Sequence, residues 1–169
     1  MRNFLRKLIY RGYRIGFRGV EFEALKFRTL REGTNRHQFA KFGEYLPFGK
    51  LLRKTHLDEL PQLWNVFKRD MNIVGPRPEE RETFLTLHPD TRRILTSRRP
   101  GMTSLASLQF SNEEEIIANS KDVYSDYWTK IKPMKIHLDV FYIQNRDIFL
   151  DLWIIYRTFL MVVKRIFKR

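Results

Sequence analysis

The sequence predicts an α+β fold that is mostly helical and forms a single compact domain over residues 1–169. Apolar side chains recur at helical spacing after residue 57, whereas residues 20–30 alternate between apolar and charged side chains as a strand does. With 169 residues, 43% of them hydrophobic, the chain can bury one substantial core. We therefore expect a short β-hairpin or strand pair near the N-terminus, together with amphipathic helices of the kind that lie at a membrane interface.

Residues 39–52 are predicted to form a short helix or an irregular turn, and a second helix is predicted to begin near Asp58. Pro61 lacks an N–H and is tolerated in a first turn, where no intrahelical donor is missed. Four large apolar side chains then recur at helical spacing and are expected to bury one face in the core: Leu60, Leu63, Trp64 and Phe67. The polar run 68–70 is expected to end this helix.

The segment Val74-Gly75-Pro76-Arg77-Pro78 cannot continue a helix, because its two prolines fix the backbone. Arg77 is therefore expected on a stiff loop. Further helices are predicted over four stretches: residues 79–87, 90–97, 112–120 and 124–146, the last bent or started around Pro133.

The composition is strongly basic. The 32 Lys and Arg against 19 Asp and Glu give a net charge of +13, which predicts attraction to nucleic acid, anionic lipid or nucleotide-sugar diphosphates. The absence of cysteine from the sequence excludes disulfides and thiolate catalysis.

No recognised nucleic-acid motif is present, so a nucleic-acid-binding module has only the charge and the interleaved aromatics in its favour. We expect no nucleic-acid partner.

Both ends of the chain are basic and apolar. No stretch reaches the roughly 20 uninterrupted apolar residues that span a bilayer. Residues 1–19 form a basic amphipathic segment, and residues 150–169 are predicted to form a basic amphipathic C-terminal helix. A helix of this kind lies in the headgroup layer, where each basic residue contributes on the order of 1 kcal/mol. We expect docking on an anionic membrane surface; a core helix with a solvated basic face is the alternative.

The most informative residues form an acidic pair, Asp58 and Glu59, between Arg53 and Arg77. The positive end of a helix favours ionised carboxylates, which can attack phosphorus or hold a divalent cation. The arrangement suits phosphoryl transfer to a carboxylate. An acidic pair at a helix start is also an ordinary cap, and the spacing alone leaves that interpretation open.

The string Leu-Asp-Glu-Leu-Pro-Gln-Leu-Trp-Asn-Val occupies residues 57–66 and is followed in order by the motifs at residues 68–72 and 74–78. This order of motifs resembles the bacterial sugar transferases, which are monotopic polyprenyl-phosphate phosphoglycosyl transferases. Lys-Phe-Arg-Thr at 26–29, Arg-Pro-Gly-Met-Thr at 99–103 and the closing segments at 142–146 and 150–152 with Thr158 resemble further family elements. The resemblance covers roughly residues 9–160.

The resemblance implies transfer of a sugar 1-phosphate from a UDP-sugar to a polyprenyl phosphate such as undecaprenyl phosphate, with release of UMP. This reaction starts the assembly of surface polysaccharides and glycoconjugates. By resemblance, Asp58 attacks the sugar-bearing phosphorus and forms a phosphosugar-aspartyl intermediate, while Glu59 supports metal, water or acceptor. Magnesium is implied as the cofactor, with Asp58 as its protein ligand, because Mg²⁺ takes one or two carboxylates plus substrate phosphates.

A phosphoryl transition state spreads negative charge over several oxygens, so fixed positive charge is expected around the acidic pair. The candidate phosphate-binding residues are Lys26, Arg53 and Arg77, followed by Arg28 and Arg99. The resemblance places the protein at the cytoplasmic face of the inner membrane, in a peripheral or monotopic arrangement.

Two departures from the family pattern bear on these expectations. Family members normally begin with a hydrophobic helix that enters the bilayer and returns, and this chain is expected to represent the catalytic domain without it. Residues 104–110 replace a family run in the region where donor specificity is expected, so the sequence predicts no particular sugar. A catalytically impaired relative that binds lipid phosphate or a partner protein is the alternative function.

Overall fold

The computed structural model describes residues 8–31, 44–113 and 122–167. It begins with an antiparallel hairpin in which β1 (Ile9–Ile15) pairs with β2 (Glu21–Phe27), from Ile9 opposite Phe27 to Ile15 opposite Glu21. A 3₁₀ turn at Phe17–Gly19 joins the two strands. The predicted N-terminal hairpin is confirmed, and its first strand lies within the basic segment 1–19.

Helices make up most of the remaining described chain. Their bounds are α1 (Gly49–Thr55), α2 (Gln62–Phe67), α3 (Arg81–Thr86), α4 (Pro89–Leu95), α5 (Leu105–Gln109), α6 (Val123–Asp126), α7 (Lys132–Asn145) and α8 (Ile148–Phe167). The predicted helices at 79–87 and 90–97 are therefore confirmed as α3 and α4. The helix predicted at 112–120 lies largely outside the described residues.

The long helix predicted over residues 124–146 is confirmed, with a change of winding in its first half. A π-helical segment, Tyr127–Ile131, joins α6 to α7, and Pro133 lies in the first turn of α7. Proline has no N–H and its ring presses on the carbonyl four residues earlier, so the regular hydrogen-bond ladder cannot continue through it. The sequence signal at Pro133 therefore marks a real irregularity.

A second, parallel strand pair fixes the loop that carries Arg77. It pairs β3 (Asn72–Val74) with β4 (Gly101–Thr103). The backbones approach so closely that a Cβ atom at Gly101 would lie 2.1 Å from the Gly75 nitrogen. The Gly101 N–H also donates to the Pro76 carbonyl at 2.9 Å. The sequence analysis did not predict this pair, because three-residue strands are too short to show alternation.

The core lies where the two long helices meet β3. Its fully or nearly buried members are Val74 on β3, Tyr142 on α7 and Ile154 on α8, and side chains of α5 pack against them. This shared core joins the second strand pair to α5, α7 and α8. Arg77 follows directly from this packed region.

Polar side chains at the edge of the core hold α8 in place. Asp151 accepts hydrogen bonds from the Tyr142 hydroxyl at 2.6 Å and from Arg146 at 2.7 Å. The hydroxyls of Thr103 and Thr158 lie 2.7 Å apart. Asp151 and Thr158 belong to the closing segments that resemble family elements, and their contacts give those residues a structural role.

The prediction that α2 buries its apolar face is wrong. Trp64 is 56% exposed and Phe67 76% exposed, and their rings stack on one another at 5.3 Å outside the core. The buried side chains of α2 are instead the polar Gln62 and Asn65. Helical spacing identifies a face, but it does not say which face turns inward. Here the inward face is polar because it binds the backbone of the hairpin.

The C-terminal helix is confirmed as α8, and its exposure is uneven. Ile154 is fully buried, while Phe149 and Phe159 are exposed. The helix is therefore not simply a core helix. No helix in the described part of the chain combines the length and apolar character needed to cross a membrane.

Candidate active site

The acidic pair lies on a tight turn between two helices. Asp58 and Glu59 belong to a 3₁₀ turn, Leu57–Glu59, and α2 begins after Pro61. The expected helix start is thus displaced: Pro61 immediately precedes α2 instead of lying inside its first turn. His56 takes a left-handed conformation with φ 59°, which is uncommon for a residue with a side chain. This residue separates α1 from the turn.

Glu59 forms a close ion pair with Lys26 on β2. The Lys26 Nζ atom lies 2.5 Å from Glu59 Oε1. Burial favours the neutral acid, but the charges of Lys26 and Arg77 outweigh it and lower the pKa of Glu59 to about 2. Glu59 is therefore a permanent anion at neutral pH.

Asp58 behaves in the opposite way. It is only 7% exposed, and burial raises its pKa to about 6, while the positive charges of Lys26 and Arg53 limit the rise. The neighbouring charge of Glu59 adds to it. The sequence analysis expected surroundings that favour the ionised form of Asp58. In the structure the group is mostly ionised at pH 7, but burial makes its charged form less stable than that of an exposed aspartate. Adjacent carboxyls with pKa values pushed apart are typical of sites with divided roles.

Asn65 positions the hairpin against this turn. Its Oδ1 accepts the Leu25 N–H at 3.0 Å, and its Nδ2 donates to the Glu23 carbonyl at 2.7 Å. The side chain is fully buried and also contacts Asp70 at 3.2 Å. Both bonds lie immediately before Lys26 on β2, so Asn65 fixes the part of the strand that leads to the lysine.

Arg77 is anchored through its backbone as well as its side chain. Its N–H donates to Asp139 Oδ2 at 3.0 Å, and its Nη1 lies 3.3 Å from Ser107 Oγ. Asp139 is 3% exposed, and burial raises its pKa to about 7. The sequence analysis missed Asp139, although an acidic residue on the inward face of a helix was a usable signal.

The structure brings some predicted cations to the acidic pair and leaves others with different contacts. Arg53, on α1, lowers the pKa of Asp58, and Arg77 lowers that of Glu59. The Arg28 N–H donates to the Leu8 carbonyl at 2.7 Å. The guanidinium of Arg99 lies over the Phe17 ring at 5.7 Å. Neither of these last two contacts involves the acidic pair, so phosphate binding by Arg28 and Arg99 stays a prediction.

Two residues near the site were not predicted. Burial lowers the pKa of His56 to about 4, and its Nε2 atom is buried with no hydrogen-bond partner among the described residues. Arg165, near the end of α8, donates to the Lys54 carbonyl at 3.0 Å and also to the Ser111 carbonyl. Its charge contributes to the lowered pKa of His56. No local sequence pattern predicts a contact between residues so far apart in the chain.

Few side chains near the acidic pair are available to bind a metal ion. Within residues 8–31, 44–113 and 122–167, no cluster of three or more His, Asp or Glu side chains is arranged to hold a metal ion. Asp58 offers one carboxylate, while Glu59 is already paired with Lys26. These residues fit Mg²⁺ only as a site completed by substrate phosphates, which is a common way for this ion to bind.

Comparison with known proteins identifies the family of this chain. Residues 3–165 match the family described as bacterial sugar transferase. The chain is 34% identical over 152 residues to a UDP-N-acetylgalactosamine-undecaprenyl-phosphate N-acetylgalactosaminephosphotransferase from Aeromonas hydrophila, covering 86% of this chain and 33% of that protein. It is 32% identical over 170 residues to the exopolysaccharide production protein ExoY from Sinorhizobium fredii, covering 89% and 68%.

A further relative is the UDP-glucose:undecaprenyl-phosphate glucose-1-phosphate transferase from Caulobacter vibrioides, at 32% identity over 161 residues, with 89% of this chain and 54% of that protein covered. The chain therefore belongs to the bacterial sugar transferase family. It spans between about a third and two thirds of the length of these three relatives.

Replacing Asn65 by Leu tests how much its two hydrogen bonds to β2 stabilise the fold around the site. The variant leaves the Leu25 N–H and the Glu23 carbonyl buried without their partner, and each such group costs about 1–3 kcal/mol. We expect a lower free energy of unfolding in urea denaturation. Asn145→Leu, at the exposed end of α7, is the matched control and should change stability little. Equal stabilities for the two variants would contradict this role of Asn65.

Proposed function

We propose that this chain carries the catalytic site of a phosphoglycosyl transferase that moves a sugar 1-phosphate from a UDP-sugar to polyprenyl phosphate. The observation that carries the proposal is the pair of neighbouring carboxyls, Asp58 and Glu59, with opposite pKa shifts beside three cations. The names of two relatives, which combine a UDP-sugar with undecaprenyl phosphate, support these substrates. The pathway is surface polysaccharide or glycoconjugate biosynthesis.

In the first step, a carboxylate oxygen of Asp58 attacks the phosphorus that bears the sugar. The bond from that phosphorus to the oxygen bridging to UMP breaks, and UMP leaves with the electron pair. The product is a phosphosugar-aspartyl intermediate. A carboxyl with a pKa of about 6 is mostly ionised at neutral pH, yet burial leaves it less stabilised than an exposed carboxylate, which favours nucleophilic attack.

In the second step, a phosphate oxygen of the polyprenyl phosphate attacks the same phosphorus and displaces Asp58. The sugar is then joined to the lipid through a diphosphate, and the carboxylate is regenerated. Glu59 is a poor general base, because its pKa is about 2. We assign it to holding Lys26 in place and to supporting the metal or acceptor beside Asp58.

Positive charge stabilises both steps. Lys26, Arg53 and Arg77 surround the acidic pair, and a phosphoryl transition state gains most from fixed charge of this kind. Arginine binds phosphate through a planar fork, so lysine is not equivalent at position 77. Mg²⁺ held by Asp58 and the donor phosphates would supply further charge neutralisation.

We also propose that the protein works on an anionic membrane surface, at the cytoplasmic face of the inner membrane, as a peripheral or monotopic protein. Exposed apolar side chains begin at Leu60, two residues after Asp58, and continue on α2 with Trp64 and Phe67. The outer side of α8 is also rich in exposed aromatics, and the net charge of +13 favours anionic headgroups. A surface of this kind would bring the acidic pair to the level of lipid phosphates.

UMP release tests the reaction. The protein is incubated with detergent-dispersed undecaprenyl phosphate, magnesium and a panel of UDP-sugars. We expect release with at least one donor, a loss of at least about 10³-fold in Asp58→Asn because the nucleophile is gone, and a loss of about 10²-fold in Glu59→Gln. Asp90→Asn and Glu82→Gln make the same changes on exposed helical surface and should retain the rate.

Two outcomes of that assay would count against the proposal. A full rate in Asp58→Asn would exclude the aspartyl intermediate. No UMP with any donor would favour the alternative, a catalytically impaired relative that binds lipid phosphate or a partner.

Vesicle flotation tests the membrane surface. Binding should rise with the fraction of anionic lipid and fall with added salt. The double variant Trp64→Glu, Phe67→Glu should bind at least about 10-fold more weakly, because two large apolar side chains no longer enter the headgroup layer. Leu85→Glu, at an exposed position on α3, is the control. Protein that stays in the soluble fraction at every lipid composition would contradict the proposal.

A further inference from the structure

A groove of about 180 Å³ lies between α5 and α8, and we call it the α5–α8 groove. Its walls include four apolar side chains and two polar residues: Leu105, Leu108, Trp153 and Met161, with Ser111 and Arg157. The volume is slightly larger than a cavity of about 150 Å³ that admits benzene, and below the ~300–1,000 Å³ of pockets that enclose drug-sized ligands. The groove therefore suits a short length of hydrocarbon and is too small for a nucleotide sugar.

The lining has the character of a site for an amphiphile. The guanidinium of Arg157 lies over the Trp153 ring at 5.4 Å, so one wall combines an aromatic face with a positive charge. Leu105 and Leu108 on α5 face this wall across the groove. A ligand with an apolar chain and an anionic head complements this combination.

Arg165 links one end of the groove to α1, the helix that precedes the acidic turn. Arg165 donates to the Ser111 carbonyl, which belongs to the groove, and to the Lys54 carbonyl at 3.0 Å. Lys54 lies near the end of α1, which leads through His56 into the turn bearing Asp58. A phosphate at this end would meet the positive charge of Arg165, whose influence extends to His56.

We propose that the α5–α8 groove binds the first isoprene units of the polyprenyl phosphate acceptor, with the phosphate directed toward Arg165 and the acidic turn. This inference rests on the proposed function and names where its lipid substrate lies. A bilayer phospholipid has no need of a groove connected to the catalytic turn, whereas an acceptor must present its phosphate there.

Photolabelling with a benzophenone-bearing farnesyl phosphate in detergent micelles tests the groove directly. Mass spectrometry of the digested protein should find the label in peptides that contain residues 105–111 or 153–161. Undecaprenyl phosphate should compete with the label, whereas inorganic phosphate and phosphatidylglycerol should not. Competition by phosphatidylglycerol or inorganic phosphate alone would overturn the proposal, because the site would then recognise a general lipid or a free anion.

Two variants separate groove binding from general effects. Met161→Trp fills the groove and should reduce labelling at least about fivefold, while Leu160→Trp places the same side chain at the adjacent exposed position and should not. Arg157→Gln should also weaken labelling, and Arg93→Gln on exposed α4 should not. Equal labelling of Met161→Trp and Leu160→Trp, with Arg157→Gln unchanged, would contradict the proposal.

This experiment is independent of turnover. Label in the groove together with no UMP release would uphold the lipid site while removing the proposed reaction. UMP release together with label confined to other parts of the chain would support the proposed reaction and exclude the groove as the lipid site.

Discussion

The arrangement of the site depends on one ion pair, between Lys26 of the hairpin and Glu59 of the acidic turn. The pair is largely shielded from water and its atoms are 2.5 Å apart, so the anion and the cation fix one another. Asn65 supports it by binding the β2 backbone at Glu23 and Leu25, just before the lysine. Burial raises the pKa of Asp58 and the charge of Lys26 limits that rise, so the ion pair helps to keep the proposed nucleophile ionised.

A second constraint is that polar side chains turn inward on α2 while large apolar ones turn outward. Gln62 and Asn65 are buried, whereas Trp64 and Phe67 are exposed. The same helix thus supports the site from one face and offers an apolar surface on the other. The C-terminal helix also has two roles, because Ile154 lies in the core while Arg165 donates to the Lys54 carbonyl near the end of α1. The helices α2 and α8 therefore contribute both to the proposed active site and to the proposed lipid-facing surface.

The sequence was sufficient for features with a local signature. Alternation predicted β2, Pro133 marked the irregular start of α7, and the ordered string around Asp58 placed the acidic pair near Arg53 and Arg77. Features that depend on distant contacts were missed. The inward direction of α2 is decided by the hairpin backbone that Asn65 binds, and Arg165 reaches a carbonyl from the far end of the chain. Burial, which sets the pKa of Asp58, is a tertiary property that spacing does not contain.

The most direct test is a carbon-13 NMR titration of the aspartate carboxyls, assigned by the loss of one signal in Asp58→Asn and another in Asp139→Asn. We predict that Asp58 titrates with a pKa of about 6 in the unmodified protein. In Lys26→Met the pKa should rise further, because a positive charge that stabilises the carboxylate is gone, whereas Lys26→Arg should remain close to the original value. An Asp58 signal that titrates near the ordinary 3.8 and does not respond to Lys26→Met would contradict the account.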